Sequence, residues 1–366
     1  MPLFSSHTIT NGNIVNSKVV NVAGDVILDG VKGDLSEMLL EMMQNEAAKL
    51  TSIALEDFKA RLKGFADSFF RYLVEKGQLD LIESLKDFRI QFDLHDGAKG
   101  FVSTDDENQK RLILETLIAR MQTINGTSVQ KVSSEAVRLA SEMPYSSACL
   151  LALLSLRTLF FSGMAFMLNE AFKAITTFVD HMPEIGDVDV EYLKMKNCLM
   201  PVSGIYGIQR LEDTLLHHYD LFFRHRLSEE VFAELSTSIS NFRHPVGKFN
   251  TCMLYPDNSA NTIQYGFIET NYSIFAKELD KNNLGFLKDT VNQVKQSMPA
   301  YTPEEVYAYM ISLSPKWERV FELLNQEKML HMHSSIVGSY IGTTLLCQKT
   351  GQPQMTLDQL TNPREV

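Results

Sequence analysis

The first segment of the chain mixes apolar and polar positions with a period of two. Residues 8–31 are rich in Val, Ile, Asn and Gly and carry little charge. β-Branched residues at this density favour strands, and Asn11-Gly12 and Ala23-Gly24-Asp25 are turn signals. Apolar residues occupy both alternating faces, so both faces need cover. The residues expected at an interface between copies of the chain are Ile14, Val15, Val19, Val20, Val22, Val26 and Ile27.

A β segment of this length needs a partner. A two-stranded hairpin alone is marginal in water. We therefore expect residues 8–31 to pair with copies of themselves or with a sheet elsewhere, or to fold over their own chain. Exposed strand edges recruit other chains unless something covers them, and Lys18 is the only cation between residue 1 and Lys32. We expect a homo-oligomer, a dimer or larger, that also offers contacts to another protein.

From Gly33 onward, apolar residues recur every three or four positions, which is typical of amphipathic helices. The pattern predicts helices over residues 35–43, 50–75, 79–93, 105–122, 129–143, 148–168, 211–223, 228–240, 271–298, 303–312, 315–330 and 334–347. A turn is expected at residues 96–100. The predicted fold is mainly α, a multi-helix body with a short N-terminal β segment, and α+β overall at most.

The breaks between helices suggest a domain organisation. Residues 1–33 form the N-terminal β segment and residues 34–180 a helical domain. Residues 181–210 hold several Pro and Gly residues and are interpreted as a hinge or connector. Residues 211–366 form a second, mainly helical domain, with an irregular insert at 243–270 that has room for a short hairpin.

One stretch is apolar enough to raise the question of a membrane. Residues 148–168 contain a single charge, Arg157. A charge near the centre of a membrane span is unfavourable. We therefore interpret the stretch as a helix that lies inside a large helical core and is buried on all its sides. Arg157 is then expected to pair with an acid or with helix-end carbonyls. The alternative is an effector that disrupts membranes through residues 148–168; no stable insertion is expected.

Composition narrows the classes of function. Apolar residues make up 45% and charged residues 22% of the chain, and the net charge is −11. These values fit a globular protein that does not bind nucleic acid through a broad basic surface.

The cysteines are Cys149, Cys198, Cys252 and Cys347, without a C-x-x-C pair, and we interpret them as reduced core residues. Common nucleotide and metal motifs are absent from the sequence, so we expect no cofactor and no metal. Residues 1–12 lack the pattern of a secretion signal, so we expect a cytoplasmic protein.

Arg210 and His217 form a candidate catalytic pair. They are seven positions apart, which places them on one face of a helix. The spacing loosely resembles the R-x6-H motif of HEPN ribonucleases, although Leu211 stands where that family usually has a polar residue. In that chemistry the arginine stabilises charge on the phosphate and the histidine transfers a proton. If the chain is an enzyme, it is expected to be a ribonuclease.

Two local clusters of basic residues interrupt the acidic chain. Arg224, His225 and Arg226 follow one predicted helix, and Arg243, His244 and Lys248 lie in the irregular insert. If the two clusters meet in space, they form an anion site or a site for a partner carboxylate. If they do not meet, each is a solvated surface cluster.

Several stretches together resemble an uncharacterised family of bacterial proteins of about this length. They are N-x-N-I-V-N-S-K-V-V-N-V-x-G-D at 11–25, SEAVRLASEMPYSSACLLALLSLRTLF at 134–160, LEDTLLHHYDLFFRHRLSEEVF at 211–232 and SPKWERVFELLNQEKMLHMHSSIVGSYIGTTLLCQKTG at 314–351. The helices over residues 129–160 are also distantly similar to helical abortive-infection domains. The family implies no catalytic residues. The abortive-infection similarity implies a role in bacterial antiviral defence.

These observations lead to one main expectation and two alternatives. The leading one is a non-catalytic, self-assembling helical protein of bacterial stress response or phage defence, acting through protein contacts as a sensor or scaffold. The second is a HEPN-like ribonuclease centred on Arg210 and His217. The third is the membrane-disrupting effector.

Overall fold

The computed structural model describes residues 32–48, 50–123, 127–158, 165–202, 209–242, 254–257 and 263–351. The predicted strands of residues 8–31, and with them the expected interface residues from Ile14 to Ile27, lie outside this part of the chain. Within it, helices dominate and the strands are short and antiparallel. The predicted mainly α fold is confirmed.

The helices follow one another closely along the chain. Helix α1 covers residues 32–42. The later helices are α2 (Gln44–Ala47), α3 (Ser52–Glu75), α4 (Phe88–Ser103), α5 (Glu107–Met121), α6 (Ser128–Glu142), α7 (Tyr145–Ser155), α8 (Ala165–His181), α9 (Asp187–Met195), α10 (Leu211–His218), α11 (Glu229–Ser238), α12 (Tyr272–Lys281), α13 (Lys288–Gln296), α14 (Pro303–Leu313), α15 (Trp317–Leu324), α16 (Glu327–Leu330) and α17 (Ile336–Thr350). The 3₁₀ helices Leu79–Lys86 and Gly285–Leu287 precede α4 and α13.

The strands form two small antiparallel sheets. Strands β1 (Leu199–Pro201) and β5 (Met332–Ser334) pair with Met200 opposite His333. The other sheet has the order β2-β4-β3 and consists of β2 (Leu227–Ser228), β3 (Leu254–Asp257) and β4 (Gln264–Phe267). Strands β3 and β4 pair antiparallel, which confirms the short hairpin predicted as an option within residues 243–270.

Helices α7 and α17 form the centre of the largest core. Ala148, Cys149 and Ala152 on α7 are fully buried. Gly342 on α17 lies so close to α7 that a Cβ atom there would meet the carbonyl oxygen of Leu151 at 2.3 Å. Glycine is therefore required for this approach of two helices. Burial around the whole of α7 explains why its sequence is apolar on every side. The expected buried helix is confirmed for residues 148–155, whereas Phe166 and Met167 near its predicted end are exposed.

Two further cores extend the body. One packs α1, α3, α4 and α5 around Phe65, Phe69 and Leu94. The other joins the three-stranded sheet to α12 and α13 through Phe267 and Phe275. The largest core itself includes residues from Leu112 to Leu346, on both sides of residues 181–210. The proposed division into two helical domains joined at 181–210 stays a prediction.

Arg157 lies inside the fold, as expected. Its guanidinium nitrogens donate to the carbonyl oxygens of Leu324, at 2.5 Å, and Met329, at 3.0 Å. These carbonyls belong to the ends of α15 and α16, so the side chain satisfies groups that a helix leaves free. Burial lowers the pKa of Arg157 to about 10, and Glu212 acts in the opposite direction.

The prediction of one continuous helix over residues 148–168 is wrong. Helix α7 ends at Ser155, and residues 156–158 form a turn. The hydroxyl of Ser155 donates to the Leu151 carbonyl and that of Thr158 to the Ser155 carbonyl, a local competition that favours a helix end. Across the described ranges, we find no helix with the length and apolarity needed to cross a membrane.

The predicted turn at residues 96–100 is also wrong. Helix α4 runs straight through Gly97 and Gly100. A Cβ atom on Gly97 would meet Leu117 Cδ1 at 2.5 Å, and one on Gly100 would meet Ser141 Cβ at 2.4 Å. The glycines are needed for close packing against α5 and α6, a tertiary requirement that a turn signal does not reveal.

Other predicted helices are shorter or divided. The predicted helix 271–298 splits into α12 and α13 because Asn283 adopts a left-handed conformation, with a φ of 60°. The predicted helix 315–330 likewise divides into α15 and α16 at Asn325-Gln326. Helix α10 ends at His218 instead of residue 223.

Candidate functional site

Arg210 immediately precedes α10 and is held by an acid. Its guanidinium lies 2.5 Å from the Glu212 carboxylate, whose side chain is only 3% exposed. Asn325 donates from Nδ2 to the same carboxylate at 2.7 Å and accepts from the Leu211 amide at 3.0 Å. This polar network attaches the start of α10 to the end of α15.

His217 lies at the other end of α10 and is exposed. Its backbone carbonyl accepts a hydrogen bond from Asn271, and its ring centre is 6.2 Å from that of His218. Burial, with a smaller effect of His217, lowers the pKa of His218 to about 4. No hydrogen bond or ion pair joins the side chains of Arg210 and His217 in the described structure. The catalytic pair stays a prediction.

The first basic cluster is partly structural. Arg224 donates to the carbonyls of Asp220, Lys295 and Met298, the last two at the C-terminal end of α13. Burial lowers the pKa of Arg224. The Arg224 guanidinium therefore caps the C-terminal end of α13.

The other members of this cluster also have neighbours. His225 Nε2 lies 3.2 Å from the Glu305 carboxylate, with its ring 4.9 Å from that of Tyr301. Arg226 occupies the space beside Gly266, where a Cβ atom would be 2.1 Å from its guanidinium nitrogen. The second cluster, Arg243, His244 and Lys248, lies outside the described residues, so the proposed meeting of the two clusters stays a prediction.

The structure brings together another set of polar side chains, in two adjoining clefts that share Asn108. The first cleft, of about 390 Å³, is bounded by α5, α7, α8 and α17. The second, of about 300 Å³, is bounded by α3, α4 and α5. Sequence reasoning did not select any of the residues that line them.

The first cleft combines polar groups with apolar walls. Lys349 Nζ donates to Asn108 Oδ1 at 3.2 Å and lies 5.9 Å from the centre of the Tyr145 ring. Burial lowers the pKa of Lys349, and the nearby Arg111 acts in the same direction. His181 Nδ1 lies 2.8 Å from the Thr177 carbonyl oxygen, so it carries the proton and donates. Phe178 contributes an apolar wall.

The Tyr145 hydroxyl and the Cys149 thiol, near the first cleft, are both protonated at neutral pH. Burial raises the pKa of Tyr145, and the adjacent Cys149 adds to the effect. Burial also raises the pKa of the Cys149 thiol to about 12. At neutral pH neither group provides a nucleophile. The cleft is therefore suited to binding and not to covalent catalysis by these residues.

The second cleft is lined by charged residues. Lys110 pairs with Glu107 at 2.7 Å. The Arg111 guanidinium lies 5.8 Å from the centre of the Tyr72 ring, and Lys76 lies 5.3 Å from the same ring. Arg71 and Glu75 complete the charged lining. Cations near an aromatic ring are held in place by its electron density.

A buried acid lies close to this cleft. Lys76 Nζ is 3.3 Å from Glu115 Oε1, but the Lys76 side chain is 41% exposed while Glu115 is buried. Burial therefore dominates and raises the pKa of Glu115 to about 7.

Comparison with known proteins assigns the chain to a family. A model of an uncharacterised family matches residues 33–361. The match includes the stretches at 134–160, 211–232 and 314–351, whereas the opening at 11–25 precedes it. No curated protein and no solved structure matches the chain.

Proposed function

The chain belongs to this uncharacterised family, and from its own residues we propose that it is a non-catalytic, self-assembling helical protein acting through protein contacts. Its role is that of a sensor or scaffold. The setting proposed, bacterial stress response or phage defence, rests on the similarity of residues 129–160 to abortive-infection domains.

The observation that supports a contact function is an exposed aromatic pair on α4. Phe88 and Phe92 are each 62% exposed, although they lie at the start of a helix whose other face is buried. Their rings meet edge to face, with centres 6.4 Å apart. Two such rings in water are unfavourable and are typical of a surface that binds another protein. Covering roughly 250 Å² at about 25 cal/mol per Å² contributes about 6 kcal/mol before the costs of association.

Residues 8–31 supply the second argument for self-assembly. Apolar side chains on both strand faces and nearly uncharged edges favour pairing with other copies of the chain. A closed symmetric oligomer would pair the free backbone groups at the edges of the predicted strands and would also cover their second apolar face.

The geometry of α10 favours this proposal over the ribonuclease. A phosphodiester at Arg210 would have to compete with the buried Glu212 carboxylate, which already compensates the guanidinium. We therefore expect neither the wild type nor His217→Ala to cleave RNA. Cleavage by the wild type that is lost in a folded His217→Ala variant would establish the ribonuclease instead.

The contact function is tested by light scattering over a range of concentrations. Phe88→Asp/Phe92→Asp should weaken association because it places charge on the exposed pair. Ile53→Asp is the matched control, since Ile53 is 83% exposed on α3 without belonging to an aromatic pair. Circular dichroism should show unchanged helix content in all three proteins. Equal masses for the double variant and the wild type would contradict a role for this pair.

A further inference from the structure

Cationic side chains gather around the two clefts in a chain whose net charge is −11. Arg71, Lys110 and Arg111 line the second cleft, and Lys349 lines the first. Like charges repel, and Arg111 contributes to the lowered pKa of Lys349. A bound anion would relieve this repulsion.

Two acids, Glu75 and Glu107, line the second cleft together with these cations. Glu107 pairs with Lys110, and the buried Glu115 lies next to Lys76. Asp106 accepts from the backbone amide of Asn108 at the start of α5. In the described part of the chain, no carboxylate forms an ion pair with Arg71 or Arg111. Both guanidinium groups are on the surface and line the second cleft.

The donors around the second cleft are already oriented. The Tyr72 ring supports the Arg111 guanidinium. Lys349 can only donate, so the Asn108 amide must present its oxygen to Lys349 and keeps its NH₂ group for another acceptor. Asn108 lines both clefts.

This set of donors suits phosphate. Arginine forks match the oxygens of phosphate in pairs, and an amide NH₂ adds a neutral donor. The donors come from two helices, α3 and α5, that line the same cleft. The first cleft adds Tyr145, Ala174 and Phe178, apolar surfaces suited to the organic part of a ligand.

We propose that the two clefts together bind a small phosphorylated molecule. Its phosphate binds Arg71, Arg111 and Asn108 in the second cleft, and its organic part lies beside Tyr145 and Phe178 in the first. The site goes beyond the contact function proposed above and does not depend on self-assembly.

Isothermal titration calorimetry with the full chain tests the phosphate site. Inorganic pyrophosphate should bind the wild type, and Arg71→Ala and Arg111→Ala should each weaken binding at least about tenfold. Arg319→Ala is the matched control: that arginine is half exposed on α15 and pairs with the exposed Glu184. Both target arginines are on the surface, so circular dichroism should show folded variants. Absence of binding, or equal loss in the control, would overturn the proposal.

A second set of titrations tests the first cleft. ATP should bind more tightly than pyrophosphate, and adenosine should bind weakly. Phe178 is only 5% exposed and belongs to the largest core, so the variant is Phe178→Leu, whose fold circular dichroism should confirm and which should reduce the advantage of ATP. Equal affinities of ATP and pyrophosphate would overturn the assignment of the organic part to the first cleft. Because calorimetry reports binding and light scattering reports mass, failure here is distinguishable from failure of the contact function.

Discussion

Buried charged side chains in this protein differ in how well hydrogen bonds and ion pairs compensate their loss of contact with water. Arg120 is fully buried, and its Nε lies 2.7 Å from the Asp93 carboxylate. Arg157 satisfies the carbonyls of two helix ends. The ion-pair partner of Glu115 is Lys76, whose side chain is 41% exposed. Removal of a compensated charge should therefore destabilise the fold, whereas neutralising Glu115 should stabilise it.

Glu115→Gln should raise the free energy of unfolding at pH 8 by about 3 kcal/mol, because a pKa near 7 penalises the ionised acid in the folded state. The folded state binds the proton more tightly than the unfolded chain, so wild-type stability falls as pH rises from about 4.5 to 7. The advantage of the variant should therefore vanish below pH 4.5. Urea unfolding across this pH range measures it.

The control for this prediction is Glu83→Gln, which neutralises an exposed acid paired with Lys86. Its stability should follow that of the wild type at every pH. A pH-independent effect of Glu115→Gln would show that burial does not govern this carboxyl.

Arg157→Met should lower the free energy of unfolding by about 3 kcal/mol, because it keeps the bulk of the side chain but leaves the carbonyls of Leu324 and Met329 without their donor. Arg319→Met, at an exposed ion pair, should change stability by less than about 1 kcal/mol. Chemical denaturation of both variants provides the comparison, and similar small losses would contradict the structural role of Arg157.

At the scale of single elements, the contact between α7 and α17 depends on backbone proximity. Gly342→Ala should destabilise the protein by about 2 kcal/mol or more, since its Cβ would meet the Leu151 carbonyl. Gly64→Ala is the matched control: it lies within α3 with open space around the added atom and should stabilise the helix by about 0.5–1 kcal/mol. Opposite signs in urea unfolding would support the close approach, and a neutral Gly342→Ala would contradict it.

Helix starts are the features that the sequence predicts best, because N-terminal caps are local. At the start of α14, Thr302 Oγ1 accepts from the Glu305 amide and the Glu305 carboxylate accepts from the Thr302 amide, a capping box whose two residues are three positions apart in the chain. Ser228 likewise accepts from the Val231 amide at the start of α11. Gly97 and Gly100 were misleading because their neighbours belong to other helices.

At the scale of the whole molecule, the clefts escape sequence analysis for a similar reason. Arg71, Asn108, Arg111 and Lys349 lie on α3, α5 and α17, far apart in the chain. Only the i, i+3 spacing of Asn108 and Arg111 is visible locally, and such spacing is common on exposed helices. The candidate site thus arises from helix packing, whereas the N-terminal β segment is a prediction that rests on residue types alone.

Self-assembly is the central claim, and the mass of the chain in solution tests it most directly. Light scattering should be performed on the full chain and on a variant lacking residues 1–31, which leaves Lys32 in α1. We predict a dimer or larger assembly for the full chain and a lower mass, with unchanged helix content, for the shortened one. A monomeric full chain, or equal association states with and without residues 1–31, would contradict the account.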